Sequence, residues 1–539
     1  MHQAFSSQYV VQDDARQHVF WMARFVDPQL FPRDVIADYF QSIAPSGYSA
    51  LYQVMAQLGV DPLLLNKLLP MVLGLLTTAF CFGVCLQLLP VPGAAFFGTL
   101  ILNQSLWRVD DLVSATPRAF FYPLFLAFLL CLMRNARLAC LAVIALQGLF
   151  YPPMVFISAG VLVLSLVSIE KWRPHFSRAR ADYLFCAAGL AVVLCVLLLY
   201  AFKLRDIGPV ITASEARVAP EFLPRGRISF FGYDFWRFWL TRKTSGLLPD
   251  PLVVNFPLYG ALLLPFLVYY RRAFALAQKV TRSIDVLPRV IVTSLFMFAG
   301  AHVFLFKLYN PSRYTELSLP VVFSIAAGIA IAIVVDALLD RANRSGRGPF
   351  VRRAAALTLT AAIVGSLVIY SRFVPNFPGT KYQTGRETAL YEFIAGQPKN
   401  ALVASLAPEI KNIPAFSKRS ILVAREYALP YHTRYYAQME QRATDLIAAN
   451  YTEDLATLQS FIRKYDVAFV ILDRNAFHSR YIERDSWIMQ YQPAASEALE
   501  LLKRGAVPAL SRLMPTCGVF ENEDYVVLSS DCILSASRD

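Results

Sequence analysis

Charged residues are scarce in this sequence. Only 17% of its 539 residues are Asp, Glu, Lys or Arg, whereas soluble proteins carry about 25%. Hydrophobic residues make up 56% of the chain, and the mean hydropathy is +0.45. This shortage of charge excludes an ordinary soluble protein and indicates a membrane protein.

Several other features are also missing. Residues 1–33 lack the basic-then-apolar pattern of a signal peptide. The region from residue 372 onward has no Gly-rich phosphate loop, metal-ligand spacing or nucleophile elbow. The formal net charge of +13 could indicate a nucleic-acid partner, but many basic residues lie in short loops between apolar runs, where they set membrane orientation. We therefore expect no nucleic-acid partner.

The apolar runs predict an α-helical polytopic membrane bundle of about ten spans. A helix needs roughly 20 apolar residues to cross the hydrocarbon layer, and fewer if it is broken or re-entrant. The candidate segments are 68–89, 93–107, 118–133, 138–151, 153–169, 183–202, 256–270, 290–306, 319–339 and 354–370.

Basic residues alternate between the loops of this bundle and so predict its orientation. Every loop on one side except the tight turn at 90–92 is rich in Arg or Lys, which marks that side as cytoplasmic. The segments 1–67, 108–117, 204–254, 307–318 and 371–539 then face away from the cytoplasm, as expected for a multi-pass protein of a bacterial-type plasma membrane. The cytoplasmic residues are Arg134, Arg137, Lys171, Arg173, Arg178, Arg180, Arg271, Arg272, Lys279, Arg282, Arg341, Arg344, Arg347, Arg352 and Arg353.

The sequence changes character near residue 372. Short runs rich in Val, Ile and Leu predict strands, and helical periodicity lies between them. This alternation predicts a C-terminal α/β domain. We expect an extracytoplasmic loop at 1–67, a bundle at 68–371 with an external loop at 204–254, and an extracytoplasmic domain at 372–539. The predicted strands are 401–406, 420–425, 467–473 and 525–529, and the predicted helices are 433–449 and 453–465.

The eight cysteines fall into two groups. Six lie within proposed spans, where a thiol behaves as a small apolar side chain. Cys517 and Cys532 lie in the tail assigned to the oxidising side of the membrane. They form either a disulfide or two buried free thiols.

The N-terminal loop contains an acidic pair, Asp13 and Asp14, followed by His18. Either carboxylate could deprotonate a hydroxyl or hold a metal ion, and the proximity of the other could raise its pKa. A solvated turn is the commoner fate of adjacent aspartates. His18 is a weaker candidate for a metal ligand or proton shuttle. Residues 46–58 follow with an amphipathic pattern that ends at Gly59, which suits a helix at the interface or against the bundle.

Cations on the predicted external side could neutralise a phosphate leaving group. Arginine suits this role because its guanidinium can bond two oxygens at once. Asp110 and Asp111 form a second external acidic pair, held in reserve, and His302 is interpreted as a packed polar residue within a span. The substrate-binding candidates are Arg118, Arg225, Arg227 and Arg313 for the phosphate, together with His18.

This arrangement resembles the GT-C class of integral membrane glycosyltransferases, which includes protein O-mannosyltransferases and oligosaccharyltransferases. The resemblance rests on the acidic pair ahead of residues 46–58 and on three short motifs. These motifs are Pro117-Arg118, Pro311-Ser312-Arg313-Tyr314 and Asn412-Ile413-Pro414-Ala415.

The resemblance implies transfer of a sugar from a polyprenyl-phosphate-linked donor to a glycan, lipid or protein acceptor. Asp13 or Asp14 would be the catalytic residue, and Asp13 is preferred because it leads the pair as in the O-mannosyltransferase pattern. A divalent metal ion stays open as a cofactor. GT-C enzymes have a helix before this loop, so we expect one to be encoded upstream of Met1; an N-out chain and a degenerate, inactive one are the alternatives.

Two other functions stay open at this point. A transporter or flippase of a lipid-linked glycan would show charges within its spans and internal repeats, and the spans contain few charges. An external-face glycan polymerase would use the loop arginines without needing the acidic pair.

Overall fold

The computed structural model describes residues 2–170, 173–248, 255–344 and 350–537. Lys171, Arg347 and the last part of the expected external loop, 249–254, lie outside the described residues.

Each of the ten predicted segments is mainly helical in the structure. Because five of the helices are long and apolar enough to cross a membrane, the chain is an integral membrane protein. The total of about ten spans stays a prediction. The five long helices are Pro62–Leu88, Arg180–Leu204, Arg282–Val303, Arg313–Ala342 and Phe350–Phe373. The shorter ones are Pro92–Leu106, Pro117–Met133, Arg137–Phe150, Pro152–Ser165 and Phe256–Tyr269.

The helix Ser318–Arg344 packs most extensively against Pro92–Leu106. At their crossing, a Cβ added to Gly328 would lie 2.1 Å from the Gly98 nitrogen. Glycine is therefore required there, because small residues allow membrane helices to approach closely. The helices Arg180–Leu204 and Phe350–Phe373 bury much less of their surface and lie at the periphery.

Two predicted segments differ from the structure. The segment 153–169 was expected to be helical throughout, but the helix ends at Ser165. Val167–Glu170 is a strand paired antiparallel with Arg173–Phe176, which hydropathy alone could not distinguish from a continuing helix. The segment 256–270 begins as a 3-10 helix, with Pro257 in its first turn, and becomes α-helical only at Leu263.

The amphipathic segment 46–58 forms the helix Ser46–Gln57. Gly59 follows it with a φ of +85°, a conformation that favours glycine and ends helices. Tyr48 and Tyr52 are fully buried, whereas Leu58 at the C-terminal end of the helix is 72% exposed. The helix packs against Arg137–Phe150, which places it against the bundle.

The C-terminal region contains a mixed five-stranded sheet. Its strands lie in the order Ser420–Ile421, Leu402–Ala404, Val467–Asp473, Tyr525–Ser529, Gly518–Glu521. The first three strands are parallel to one another, and Tyr525–Ser529 is antiparallel to both of its neighbours. All four predicted strands are present, and the Gly518–Glu521 strand was missed. The two predicted helices correspond to Thr433–Tyr451 and Leu455–Tyr465.

The N-terminal loop is attached to the chain that follows the bundle. The strand Val10–Gln12 pairs antiparallel with Tyr382–Thr384. Farther along, the rings of Tyr39 and Tyr435 stack with their centroids 3.6 Å apart. The two rings lie nearly parallel, face to face, and bury aromatic surface where the N-terminal loop meets the C-terminal region. The acidic pair therefore lies on a loop held at two points.

Candidate functional site

The turn containing the acidic pair is fixed by its flanking backbone. The Asp13 amide donates to the Lys381 carbonyl at 3.2 Å, directly after the Val10–Gln12 strand. The buried Gln12 side chain accepts from the Asp14 amide at 2.8 Å. The short helix Ala15–His18 begins immediately afterwards. Both carboxylates thus leave a turn whose backbone hydrogen bonds are satisfied.

Arg118, at the start of an apolar helix, forms ion pairs with three carboxylates. Its Nη2 contacts Asp14 Oδ2 and lies 3.1 Å from Asp110 Oδ2. Its Nε lies 3.1 Å from Asp111 Oδ1, an ion-pair contact whose angle is not that of a hydrogen bond. The Arg118 side chain is only 12% exposed. A nearly buried guanidinium needs such partners, because an unpaired charge there would be costly.

A second arginine, Arg313, lies close to Asp111, which also contacts Arg118. Arg313 Nη1 lies 3.0 Å from Glu316 Oε2 and 3.7 Å from Asp111 Oδ1. The Tyr122 hydroxyl donates to Asp111 Oδ2 at 3.1 Å. Arg118 and Arg313, which were proposed from the sequence as phosphate ligands, are therefore joined through Asp111.

Lys381 completes the cluster from the other side. Its Nζ lies 3.0 Å from Asp110 Oδ1, while its carbonyl accepts from Asp13. The reserve pair Asp110 and Asp111 is thus buried at the centre of the site. We name the seven residues Asp14, Asp110, Asp111, Glu316, Arg118, Arg313 and Lys381 the acidic cluster.

The electrostatics of this cluster favour the ionised forms of Asp14 and Asp110. Burial opposes ionisation of Asp14, but Arg118, His18 and Lys243 outweigh it, and the pKa of Asp14 lies below its ordinary value. Burial likewise opposes ionisation of Asp110, yet Arg118, Lys381 and Lys243 lower its pKa. For His18, burial dominates and lowers the pKa to about 4. His18 is therefore neutral at pH 7.

Asp13 has a different environment from its neighbour. Its Oδ1 pairs with Arg16 and not with Arg118, although the two aspartate side chains are similarly exposed, at 34% and 31%. Arg16 also donates to Asn412 Oδ1 at 2.9 Å, which ties the acidic loop to the Asn412-Ile413-Pro414-Ala415 motif. In the described part of the chain, Arg16 is the one ion-pair partner of Asp13.

Arg225 and Arg227, the two phosphate-binding candidates from the predicted external loop 204–254, lie outside the acidic cluster. Arg227 Nη2 lies 3.2 Å from Glu426 Oε1, and Gln17 of the acidic loop donates to the same oxygen. Arg225 is exposed, and its carbonyl accepts from Arg425 at 3.2 Å. Arg227 therefore reaches the acidic loop through one shared carboxylate, and Arg225 lies farther out.

Lys243 was missed by the sequence reasoning. It is exposed, and its field lowers the pKa of both Asp14 and Asp110. Its carbonyl accepts from the Ser312 hydroxyl, next to Arg313. Lys243 makes no ion pair within the described ranges. Only its position in a predicted external loop could have drawn attention to it.

The remaining sequence candidates lie elsewhere. Cys517 and Cys532 form a disulfide. His302 bonds to the Ser245 carbonyl at 2.9 Å and contacts the Trp239 ring, as expected for a packed polar residue. Among the residues that the structure describes, no group of three or more His, Cys, Asp or Glu side chains could hold a metal ion. In the acidic cluster, guanidinium and ammonium groups lie between the carboxylates, so these residues do not fit a divalent ion.

No protein-family model matches the sequence, and no curated protein matches it. Solved structures do match. The oligosaccharyltransferase AglB from Archaeoglobus fulgidus, in complex with an inhibitory peptide and a dolichol-phosphate, is 12% identical, with a TM-score of 0.50 over 91% of this chain and 68% of that protein. ArnT from Cupriavidus metallidurans, bound to undecaprenyl phosphate, is 14% identical, with a TM-score of 0.49 over 98% of this chain and 95% of that protein. The predicted resemblance is therefore confirmed: over most of its length the chain has the fold of the GT-C glycosyltransferases.

Proposed function

We propose that this chain transfers a sugar from a polyprenyl-phosphate-linked donor to an acceptor on the extracytoplasmic side of the membrane. The observation that carries the proposal is the contact between Asp14 of the N-terminal loop and Arg118 at the start of an apolar helix. In this proposal, the phosphate of a lipid-linked donor approaches Arg118 from the bilayer and its sugar meets a carboxylate of the acidic pair. The same fold binds dolichol-phosphate in the archaeal oligosaccharyltransferase.

Asp13 acts as the base in this proposal. A general base must accept a proton from the acceptor hydroxyl, and a carboxylate with a lowered pKa is a weak base. Asp14 has such a lowered pKa and is held by Arg118. Asp14 therefore positions Arg118, while Asp13, whose described ion-pair partner is Arg16 and not Arg118, meets the acceptor.

Lys243 provides the charge that first meets the donor phosphate. Arg118 and Arg313 are only 12% and 13% exposed, and carboxylates already surround them. Lys243 is exposed and unpaired in the described structure, and its field reaches the same carboxylates. Arg227, whose ion-pair partner among the described residues is Glu426, is the second cation available. His18 lines the loop as a neutral ring rather than as a phosphate ligand.

The orientation is proposed from the two ends of the bundle. A cavity of about 320 Å³ brings together Arg137 of one helix and Arg282 and Arg289 of another. This supports the assignment of their loops to one side, where the positive residues mark the cytoplasm. The acidic cluster draws on loops of the other set. The division into segments 1–67, 68–371 and 372–539 is proposed on the same basis.

The proposal is tested with the purified chain in lipid nanodiscs. A polyprenyl-phosphate donor with a labelled sugar is supplied together with candidate acceptors, and release of polyprenyl phosphate is followed over time. Release that depends on the acceptor supports the transferase. Movement of the intact donor between leaflets of proteoliposomes, without bond cleavage, would instead identify a flippase.

A further inference from the structure

An open cleft of about 780 Å³ lies on the C-terminal region. Its volume is within the range of small-molecule and cofactor sites. The short helix Ser479–Arg484 forms one wall, and Arg425 contributes from the other. The cleft is separate from the acidic cluster, and none of the roles given above uses it.

The cleft is strongly basic. Arg425, Arg480 and Arg484 line it together with His478, and the three arginines are exposed. None of them forms an ion pair in the described portion of the chain. The one acidic residue of the lining, Asp485, accepts instead from the backbone amides of Trp487 and Ile488. The arginine charges are therefore available to an external anion.

The rest of the lining is polar. Asn475, Ser479 and Ser486 contribute hydrogen-bonding groups, and Tyr481 contributes an aromatic side chain. No aliphatic side chain lines the cleft among the described residues. Such a surface suits a ligand rich in hydroxyl groups and does not suit an acyl chain.

The cleft is linked to the acidic loop by adjacent residues. Arg425 in its wall precedes Glu426, whose carboxylate accepts from both Gln17 and Arg227. The guanidinium of Arg425 also donates to the Arg225 carbonyl of the external loop. A long ligand bound in the cleft would extend along these contacts toward Asp13.

We infer that this cleft binds the acceptor, and that the acceptor is a glycan carrying phosphate or carboxylate groups. The inference rests on the proposed transferase function and names the class of its acceptor. The arginines hold the anionic groups, the polar side chains hold the sugar hydroxyls, and the reacting hydroxyl extends to the acidic loop.

Binding is measured first, in the absence of donor. The full chain in nanodiscs of zwitterionic lipid is titrated with a trisaccharide carrying two phosphate groups and with the same trisaccharide without them. We expect the phosphorylated sugar to bind at least roughly tenfold more tightly, and this preference to fall as salt is raised. The variant R480Q/R484Q should lose the preference. The control R463Q/R504Q removes two exposed arginines of the same region outside the cleft and should keep it.

Three results would overturn the inference: equal binding of the two trisaccharides, an R480Q/R484Q variant that binds like the parent, or arginine-dependent binding to anionic vesicles without binding of the phosphorylated sugar. The last result would assign the surface to the membrane. These binding results can be distinguished from a failure of the proposed transferase function. A chain that binds the phosphorylated sugar through these arginines but transfers nothing supports the cleft and refutes the transferase, whereas a transferase indifferent to R480Q/R484Q refutes the cleft alone.

Discussion

The Arg118 guanidinium contacts the Asp14 carboxylate across 104 residues of sequence. This pair joins the N-terminal loop to the beginning of an apolar helix, and Asp110 and Asp111 close around the same guanidinium. One cation therefore holds together three carboxylates from two separate segments of the chain.

Removing Arg118 should destabilise the protein strongly. Arg118→Gln leaves three carboxylates without their shared cation, and breaking a buried pair in this way costs about 3–5 kcal/mol. In a double-mutant cycle, Asp110→Asn should cost less in the Arg118→Gln background than alone. Thermal unfolding in detergent measures both effects.

The matched control is the exposed pair Arg137–Asp182. Arg137→Gln should cost under about 1 kcal/mol, because exposed ion pairs contribute little. If Arg118→Gln is as mild as Arg137→Gln, Arg118 does not hold the cluster together.

Stability should fall between pH 6.5 and 4 because of His18. Burial lowers the pKa of His18 in the folded chain to about 4, whereas in the unfolded chain it is about 6.5. Within this window the unfolded state binds a proton that the folded state does not, so acidification favours unfolding. His18→Gln should flatten the dependence of the unfolding temperature on pH between these values.

The aspartates act in a lower window. The pKa values of Asp14 and Asp110 are depressed in the folded state, so their contribution to stability is complete above the unfolded value of about 4 and is lost below it.

The control for His18→Gln is His478→Gln. It removes an exposed histidine and should leave the dependence of the unfolding temperature on pH unchanged. An equal effect of the two His variants would contradict the assignment to His18.

Lys243 should govern affinity for the donor. Lys243→Gln removes an exposed charge without removing a described ion pair, so the KM for the donor should rise by roughly five- to tenfold while kcat changes little. Steady-state kinetics at several donor concentrations measure the two constants. Lys307→Gln, at another exposed lysine of the predicted external face, is the control, and a rise in its KM equal to that of Lys243→Gln would argue against a specific role.

The two ends of the bundle should lie on opposite sides of the membrane. A short epitope inserted after Arg178 should be cytoplasmic, because its loop is rich in arginine. One inserted after Glu523 should be external, because the turn lies between Cys517 and Cys532, and their disulfide needs an oxidising compartment. Antibody access in intact and permeabilised cells decides this, and a cytoplasmic Glu523 epitope would overturn the proposed orientation.

The pattern of apolar residues along the sequence was sufficient to predict most of the helices. Apolar runs and their period identify segments such as Pro62–Leu88 because membrane helices are defined by composition over about 20 residues. The same measure failed at Val167–Glu170, where a short strand of alternating apolar and polar residues follows a helix that ends at Ser165. Hydropathy does not encode which backbone pairing a short apolar segment will adopt.

The site was only partly predictable for a different reason. Asp13 and Asp14 were found because they are adjacent in sequence. Asp110 and Asp111 were held in reserve and Lys243 was overlooked, because only packing between distant segments brings them near Asp14. Arg118 was expected to bind phosphate, but the sequence could not show the carboxylates that already surround it.

Turnover of the Asp13→Asn variant tests the central claim most directly. The substitution keeps the size of the side chain and removes the base, so kcat should fall by roughly 10²–10⁴, while binding of the phosphorylated trisaccharide stays unchanged. Asp524→Asn, at an exposed aspartate of the C-terminal region, should retain parental turnover. Parental turnover in Asp13→Asn, measured in nanodiscs with a chain of proven activity, would contradict the assignment of Asp13 as the base.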